Sequence, residues 1–346
     1  MSEKLRISHG AGGKDTAEMV KRLVVSKVPP AMRKALDGVG LDELDDGATF
    51  KVGDAWVVVS VDTYTVKPIK FPGGDLGHLA ASGTINDVLM MGARPVAVMD
   101  AVVAEEGTEV ALLEEIMDSF IRTATGEGVA VVGGDFKVMP RGAVDGVIIG
   151  AVGVGVTDKE PIVDRPSPGD VIVVSGPVGD HGAVITAAQL GMLNEVEGLS
   201  SDAMPLTRCV LPVVEGGLRP KITALRDATR GGLAAVLNEW AEASSTTIVV
   251  RRADVPVRPA TLGFLEMLGI DPLHSASEGV AVFAVKPKAA EELLEALRKG
   301  GCSEAAVIGE VREPWEPFLR GRVVVETEVG GMTLLPSTPL TTPRIC

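Results

Sequence analysis

FPGGDLGHLAASGTINDVLMMGARP, residues 71 to 95, contains the start, body and stop of one helix and the opening of a strand. Asp75 offers the short carboxylate that accepts from the free N–H groups of a first turn, which predicts a helix from there through Met91. Gly92 suits the position after the last turn, where the chain leaves with positive φ. A strand is expected over 95–103, so helix and strand alternate. Upstream, two β-rich runs meet at Gly53-Asp54 and predict a hairpin over 51–61 that delivers Asp62 at its end. Earlier still, Met19, Val20, Leu23 and Val24 recur at helical spacing within 16–27. Downstream, Thr108 is the expected cap of a helix whose stripe runs Leu113, Ile116, Met117, Phe120, Ile121 and Ala124 to about Gly126. Strands are expected at 129–132 and 147–156.

The polar stretch 157–169 carries Pro161, Pro166 and Pro168 and reads as a linker. Beyond it the alternation restarts, with strands at 171–174, 247–250, 279–285, 306–311, 323–326 and 332–335. Helices are expected at 182–190, 206–214, 230–243 and 287–299. The fold class is therefore α/β, in two halves with mixed sheets: 1–156, a linker over 157–169, and 170–334. The remainder, 335–346 (LPSTPLTTPRIC), has Pro336, Pro339 and Pro343 and no apolar period, which predicts a semi-extended arm ending in Cys346. A thiol on an arm is a candidate covalent carrier for a small electrophilic group; a frayed end that happens to stop at cysteine is the plain alternative.

Composition narrows the function. The 346 residues hold 33 Lys and Arg against 47 Asp and Glu, a net charge of −14, which argues against a nucleic-acid or anionic-membrane surface. Aromatics are only 3%, so the cores must be aliphatic. Cys209, Cys302 and Cys346 form no CxxC pair, so neither a disulfide framework nor a zinc site is written here. The opening MSEKLRISHG lacks an apolar signal core and no long apolar run follows, so a soluble cytoplasmic protein is expected.

Acidic residues collect at the ends of elements: Asp45-Asp46 before a strand, Asp62 after one, Asp87 beside Asn86 on the helix, Asp135 after Gly133-Gly134, and Asp227 before a helix. Taken singly each is a cap or a solvated end. Together, in a chain without GxxxxGK[ST], carboxylates holding Mg²⁺ would be the other way to bind ATP. HGAGGK, with Gly12 and Gly13, places backbone N–H groups where phosphates could meet a helix start. Lys137 is a candidate cation for a transferring phosphoryl group and Glu278 a candidate base; a solvent-facing lysine and a strand-start carboxylate are the bland alternatives.

HGAGGK (9–14), DDGA (45–48), SVDTYTV (60–66), residues 71–95, GGDFKV (133–138), DATRGGLA (227–234), SEG (277–279) and PRIC (343–346) together resemble the ATP-binding superfamily of aminoimidazole ribonucleotide synthetase, selenophosphate synthetase and thiamine monophosphate kinase. Within it the chain resembles the HypE family of [NiFe]-hydrogenase maturation factors, because the terminal PRIC is absent from the other branches. The resemblance implies two mixed α/β domains, a homodimer through the N-terminal halves, and ATP with Mg²⁺ held by Asp45, Asp46, Asp62, Asp87 and Asp227. It further implies that a carbamoyltransferase, HypF, loads Cys346, that ATP drives dehydration of the S-carboxamide to an S-cyanide, and that a HypC–HypD complex accepts the cyanide. A same-fold kinase acting on a free small molecule, or a thiol carrier without ATP turnover, are the rival readings.

Overall fold

The computed structural model describes residues 4–10 and 13–337. Its first half runs α1 (Gly13–Val20), β1 (Ala48–Val52), β2 (Ala55–Tyr64), a short pair β3 (Lys70–Phe71) and β4 (Gly74–Asp75), α2 (Leu76–Met90), β5 (Arg94–Glu105), α3 (Val110–Gly126), β6 (Ala130–Met139) and β7 (Val147–Thr157). Its second half runs β8 (Val171–Val174), α4 (Asp180–Gln189), α5 (Thr207–Glu215), β9 (Ile222–Asp227), α6 (Gly232–Ser244), β10 (Thr247–Arg251), α7 (Pro259–Met267), β11 (Ala281–Val285), α8 (Ala290–Lys299), β12 (Ala306–Arg312), β13 (Arg322–Glu326) and β14 (Met332–Leu335).

The strand order is β1-β2-β7-β5-β6 in the first sheet and β14-β13-β10-β12-β8-β11-β9 in the second. Each sheet is antiparallel apart from one parallel pair, β5 with β6 and β10 with β13, so both are mixed as expected. The hairpin of β1 and β2 turns at Gly53, with φ +61°. Asp75 caps α2, its Oδ1 accepting from the His78 N–H at 2.8 Å, and Gly92 leaves the helix at φ +76°.

Several boundaries differ from the sequence expectation for identifiable reasons. The helix expected over 16–27 is α1 followed by a π turn at Lys21–Val25. Thr108 does not cap α3: its N–H is taken up by Glu105 O in a preceding turn, and the helix starts after Glu109 with no side-chain cap. β6 runs ten residues, well past the expected 129–132, because it pairs in parallel register with β5 out to Glu105↔Met139, which draws Gly133 to Lys137 into the strand. β9 and α7 escaped the sequence analysis. Cys346, with all of 338–346, lies outside the described residues, as does Gly12.

α2 decides how the halves meet. Of its residues only His78 and Asp87 escape burial, because one side packs on β2 and β7, another on α3, and a third on α5 and β9 of the second half. A single apolar cluster consequently runs from Tyr64, Leu79 and Phe120 through Ile185 and Val210 to Phe283 and Leu297. A second cluster fills the other face of the second sheet under Leu233, Leu237 and Trp240 of α6. The first sheet has helices on one face only; Val61 is 72% exposed on the other, in a cross-strand row with Val152 and Met99. Among the described residues no helix is long and apolar enough to cross a membrane.

Where α2 crosses α3 there is no room for a side chain: a Cβ at Gly77 would lie 1.9 Å from Ile116 O. Gly77→Ala should therefore cost about 2–3 kcal/mol through overpacking. Urea unfolding monitored by circular dichroism checks this, and an unchanged midpoint would mean the helix pair can slide apart without loss.

Candidate active site between the halves

Period-two alternation puts Ser60 and Asp62 of β2 on the face that α2 covers. There the Ser60 hydroxyl donates to Asp87 Oδ2 at 2.5 Å. From the second half, β9 ends in Asp227, which is 5% exposed. The chain then turns into α6 through Gly231 and Gly232, both at positive φ. A Cβ on Gly232 would come within 2.5 Å of Ser275 O, so glycine is what lets this turn sit against the loop before β11. The turn carries Thr229 and Arg230 over a cavity, where Arg230 Nη2 reaches Asp62 Oδ1 at 3.1 Å across the two halves. The cavity, about 260 Å³, is lined by Gly10, Asp62, Tyr64, Thr65, Gly83 and Asp87 from the first half and by Asp227, Thr229, Arg230 and Glu278 from the second.

Beneath the cavity lies a buried guanidinium. Arg226 touches Asp164 at 2.9 Å, Glu239 at 2.7 Å, and Asp45 and Asp46 at 3.4 Å each. Trp240 Nε1 donates to Asp164 Oδ2 at 2.6 Å and the Leu225 N–H to its Oδ1 at 2.9 Å, so the network is tied to α6 and β9 together. Burial disfavours the guanidinium charge, yet Asp164, Asp46, Asp45 and Glu239 hold it protonated.

The carboxylates are too many for the cations among them. Burial, then repulsion from Asp227 and Asp62, pushes Asp87 well above the usual range. Asp46 is raised by burial, with Arg226 opposing and Asp227, Asp45 and Asp87 adding to the rise. Asp227 is raised to about 7 by burial and Asp62, against Arg226. Burial and then Asp227, Asp202 and Asp62 raise Glu278. One buried oxygen on each of Asp46 and Asp227 has no hydrogen-bond partner among the described residues. Crowded, under-neutralised oxygens of this kind suit a hard divalent cation. Among the described residues no three or more carboxylates, histidines or cysteines stand close enough to cage a metal by themselves. Mg²⁺ asks for fewer protein ligands than such a cage, since it completes its shell with water and phosphate oxygens.

Asp62, Asp87, Asp227 and Glu278 line the cavity, whereas Asp45 and Asp46 do not line it and are held on Arg226. Gly10 of the glycine-rich opening lines the cavity, and Gly13 begins α1. Asn86 does not line it: Nδ2 donates to Met204 O and Glu278 O, and Oδ1 accepts from Leu206 N–H, which makes it a brace between the halves. Asp135 and Lys137 are also elsewhere. In register they lie in rows with Ala101 and Val103, on the open face opposite Asp62, on the edge strand β6. Three strand spacings separate β6 from β2, roughly 14 Å. Arg226, Arg230, Thr229, Asp164 and Asp202 were not singled out from the sequence. The signal available for Arg226 was its place beside Asp227 in RDATRGG. Cys209 and Cys302 are both buried and their thiols lie together, an interior pair away from the cavity.

Residues 44–157 match the N-terminal domain, and 167–322 the C-terminal domain, of the AIR synthase related protein family. The carbamoyl dehydratase HypE of Rhodobacter capsulatus is 38% identical to the chain over 351 aligned residues, covering 99% of the chain and 98% of the relative. The chain belongs to the HypE family. A crystal structure of the hydrogenase maturation protein HypE in complex with ATP superimposes with a TM-score of 0.78 at 37% identity, covering 99% of this chain and all of that one. HypE in a HypE–HypF complex superimposes with a TM-score of 0.80 at 32% identity, covering 94% and 100%. Both family assignment and mixed α/β architecture thus agree with the resemblance in the motifs.

Because Asp227 is raised from 3.8 to about 7 in the fold, the folded protein holds its proton more tightly than the unfolded chain, and stability falls as pH rises between these values. Asp227→Asn removes that loss. It should exceed the parent stability by about 1–3 kcal/mol at pH 8, with the margin shrinking as pH falls through 7 towards 4. Urea unfolding at pH 8, 6 and 4.5 reads this directly; parallel stabilities at all three would show that Asp227 is ionised without strain.

Proposed function

We propose that the protein dehydrates an S-carboxamide on Cys346 to an S-cyanide at the expense of ATP, supplying cyanide for the iron of [NiFe] hydrogenase. The observation that carries the proposal is where the arm begins. Asn238 Nδ2 of α6 donates to Leu335 O at 3.2 Å, and His274 Nε2 to Pro336 O at 2.9 Å. Asn238 lies six residues into α6, roughly 9 Å from the helix start. That start follows directly on Thr229 and Arg230 of the cavity. The ten residues that follow Pro336, ending in Cys346, span at most roughly 35 Å. The thiol is therefore tethered well within reach of the cavity, with length to spare for visiting other proteins.

An amide oxygen is a poor leaving group as hydroxide. Its attack on the γ-phosphorus of ATP, with ADP departing, turns it into a phosphate ester. Loss of the N–H protons then lets the C–N bond close to a nitrile as the C–O bond breaks and phosphate leaves. Glu278 is the base in this scheme: a carboxylate raised by burial is a stronger proton acceptor once ionised. Asp46, Asp62, Asp87 and Asp227 would hold Mg²⁺, with Asp45 ordered beside them by Arg226; the ion supplies charge neutralisation for the phosphates. Asp227→Asn should accordingly weaken Mg²⁺-dependent ATP binding in calorimetry. Arg230 and Thr229 face the same space and can bind anionic oxygen.

Lys137 cannot meet the cavity of its own chain from the open sheet face. A homodimer through that face would present the lysine of one copy to the other, and Asp135 with it. In this arrangement 1–156 is the dimerising half, 170–334 completes each site, and the linker over 157–169 joins them. HypF is the proposed loader of Cys346, supported by the solved HypE–HypF complex of a relative; a HypC–HypD complex is the proposed acceptor.

Cys346→Ala should fold and bind ATP as the parent does, yet gain no carbamoyl mass when incubated with HypF, carbamoyl phosphate and ATP. Intact mass spectrometry decides this, and a loaded Ala variant would leave a same-fold kinase as the better account.

For the shared lysine, Lys137→Ala and Glu278→Gln homodimers should each dehydrate slowly, whereas mixed dimers of the two should recover activity. Each mixed dimer would own one cavity with both groups intact. Mixed dimers as inactive as their parents would mean that Lys137 serves no neighbour's site.

A further inference from the structure

An extended segment, Ser201 to Leu206 (SDAMPL), passes between α2 and the loop that carries Glu278, held at its start by the β3–β4 turn and beyond it by α2 and that loop. The Ser201 N–H donates to Pro72 O at 2.8 Å. His78 Nε2 donates to Ala203 O at 2.8 Å, Asn86 Nδ2 to Met204 O at 3.0 Å, and the Leu206 N–H to Asn86 Oδ1 at 2.8 Å. On the other side, Asp202 Oδ1 accepts from the Glu278 N–H at 3.0 Å.

Glycine is required on both flanks of this strap. A Cβ on Gly73 would stand 2.7 Å from Ser201 O, and one on Gly279 would stand 2.0 Å from Asp202 O. The residue after Glu278 is therefore pressed against the strap backbone itself. Glu278 is held at both of its peptide groups: its N–H by Asp202, and its C=O by Asn86 Nδ2 at 3.4 Å. Asn86 is next in sequence to Asp87, whose carboxylate lines the cavity opposite Glu278.

We propose that the strap is the gauge that sets Glu278 against Asp87 across the two halves, with Asp202 as its positioning residue. A carboxylate on a loop has several rotamers and a mobile backbone, whereas proton abstraction needs it within hydrogen-bond reach of one N–H. Two anchored peptide groups fix the origin of the side chain. A lost anchor that lets the base drift by about 1 Å is expected to slow the chemical step by ten- to a hundredfold without touching nucleotide affinity. This rests on Glu278 being the base of the dehydration.

The experiment is single-turnover dehydration of full-length protein carrying a carbamoylated Cys346, started with Mg²⁺-ATP, in Asp202→Ala, Asp202→Asn, Glu278→Gln and the Asp202→Ala/Glu278→Gln double variant. Asp202→Asn keeps an acceptor oxygen and should retain most of the parent rate and its folding. Asp202→Ala should lose ten- to a hundredfold in rate at unchanged ATP affinity. The double variant should be no slower than Glu278→Gln alone, because Asp202 acts only through that side chain. Multiplying losses in the double variant, a parent-like rate in Asp202→Ala, or an Asp202→Asn as slow as Asp202→Ala would overturn the positioning role while leaving Glu278 as the base. A parent-like Glu278→Gln would overturn both.

Discussion

The guanidinium of Arg226 gathers the charges at the junction of the two halves. Arg226 comes from β9, yet its partners are Asp45 and Asp46 of the first half, Asp164 of the connecting segment, and Glu239 of α6. One cation among four carboxylates compensates part of the charge and leaves the rest under tension, which removal from water amplifies. That residual tension rises into the cavity through Asp46, Asp227 and Asp87. Folding thus sets up an electrostatic demand that a divalent cation with bound phosphates would satisfy.

Geometry around the cavity follows from close backbone packing. Aromatic side chains are scarce, and the chain instead brings helices and loops into contact at glycines such as Gly77, Gly232 and Gly279. Backbone-to-backbone contact leaves few side-chain degrees of freedom between the elements, so the cavity walls are set by main-chain positions. α2 is central in this respect. Buried on nearly all sides, it carries Asp87 into the cavity, Asn86 to the brace and Asp75 to its own first turn, so one rigid element serves the fold, the junction and the site.

The arm and the cavity show a division of labour. The cavity-lining groups sit on the ends of rigid elements, and the last described residues are held to the second half, Leu335 O by Asn238 and Pro336 O by His274. A root held on α6 gives any group tethered beyond it a higher effective concentration near that helix than in free solution.

Local chemistry was written plainly in the sequence. The Asp75 cap, the Gly92 exit, the hairpin at Gly53 and the apolar restart after the linker are consequences of single residues acting within a few positions of chain, and each appears in the structure. The acidic cluster was legible as a list of residues at element ends. Its convergence was not, since Asp62, Asp87, Asp227 and Glu278 are brought together only by packing α2 on β9 across the halves. Lys137 illustrates the limit most sharply: the sequence places it two residues from Asp135 and makes it look like part of the site. Strand pairing of β6 with β5 then turns both onto the opposite face of the sheet, because a period of two gives each register only two sides. Arg226 and Asn86 take their roles from contacts more than a hundred residues apart in the chain, and Asp202 from one 76 residues away. Elements and caps belong to the sequence; which charges face one another is decided by the tertiary fold, since Coulomb and hydrogen-bond energies depend on distances that only packing sets.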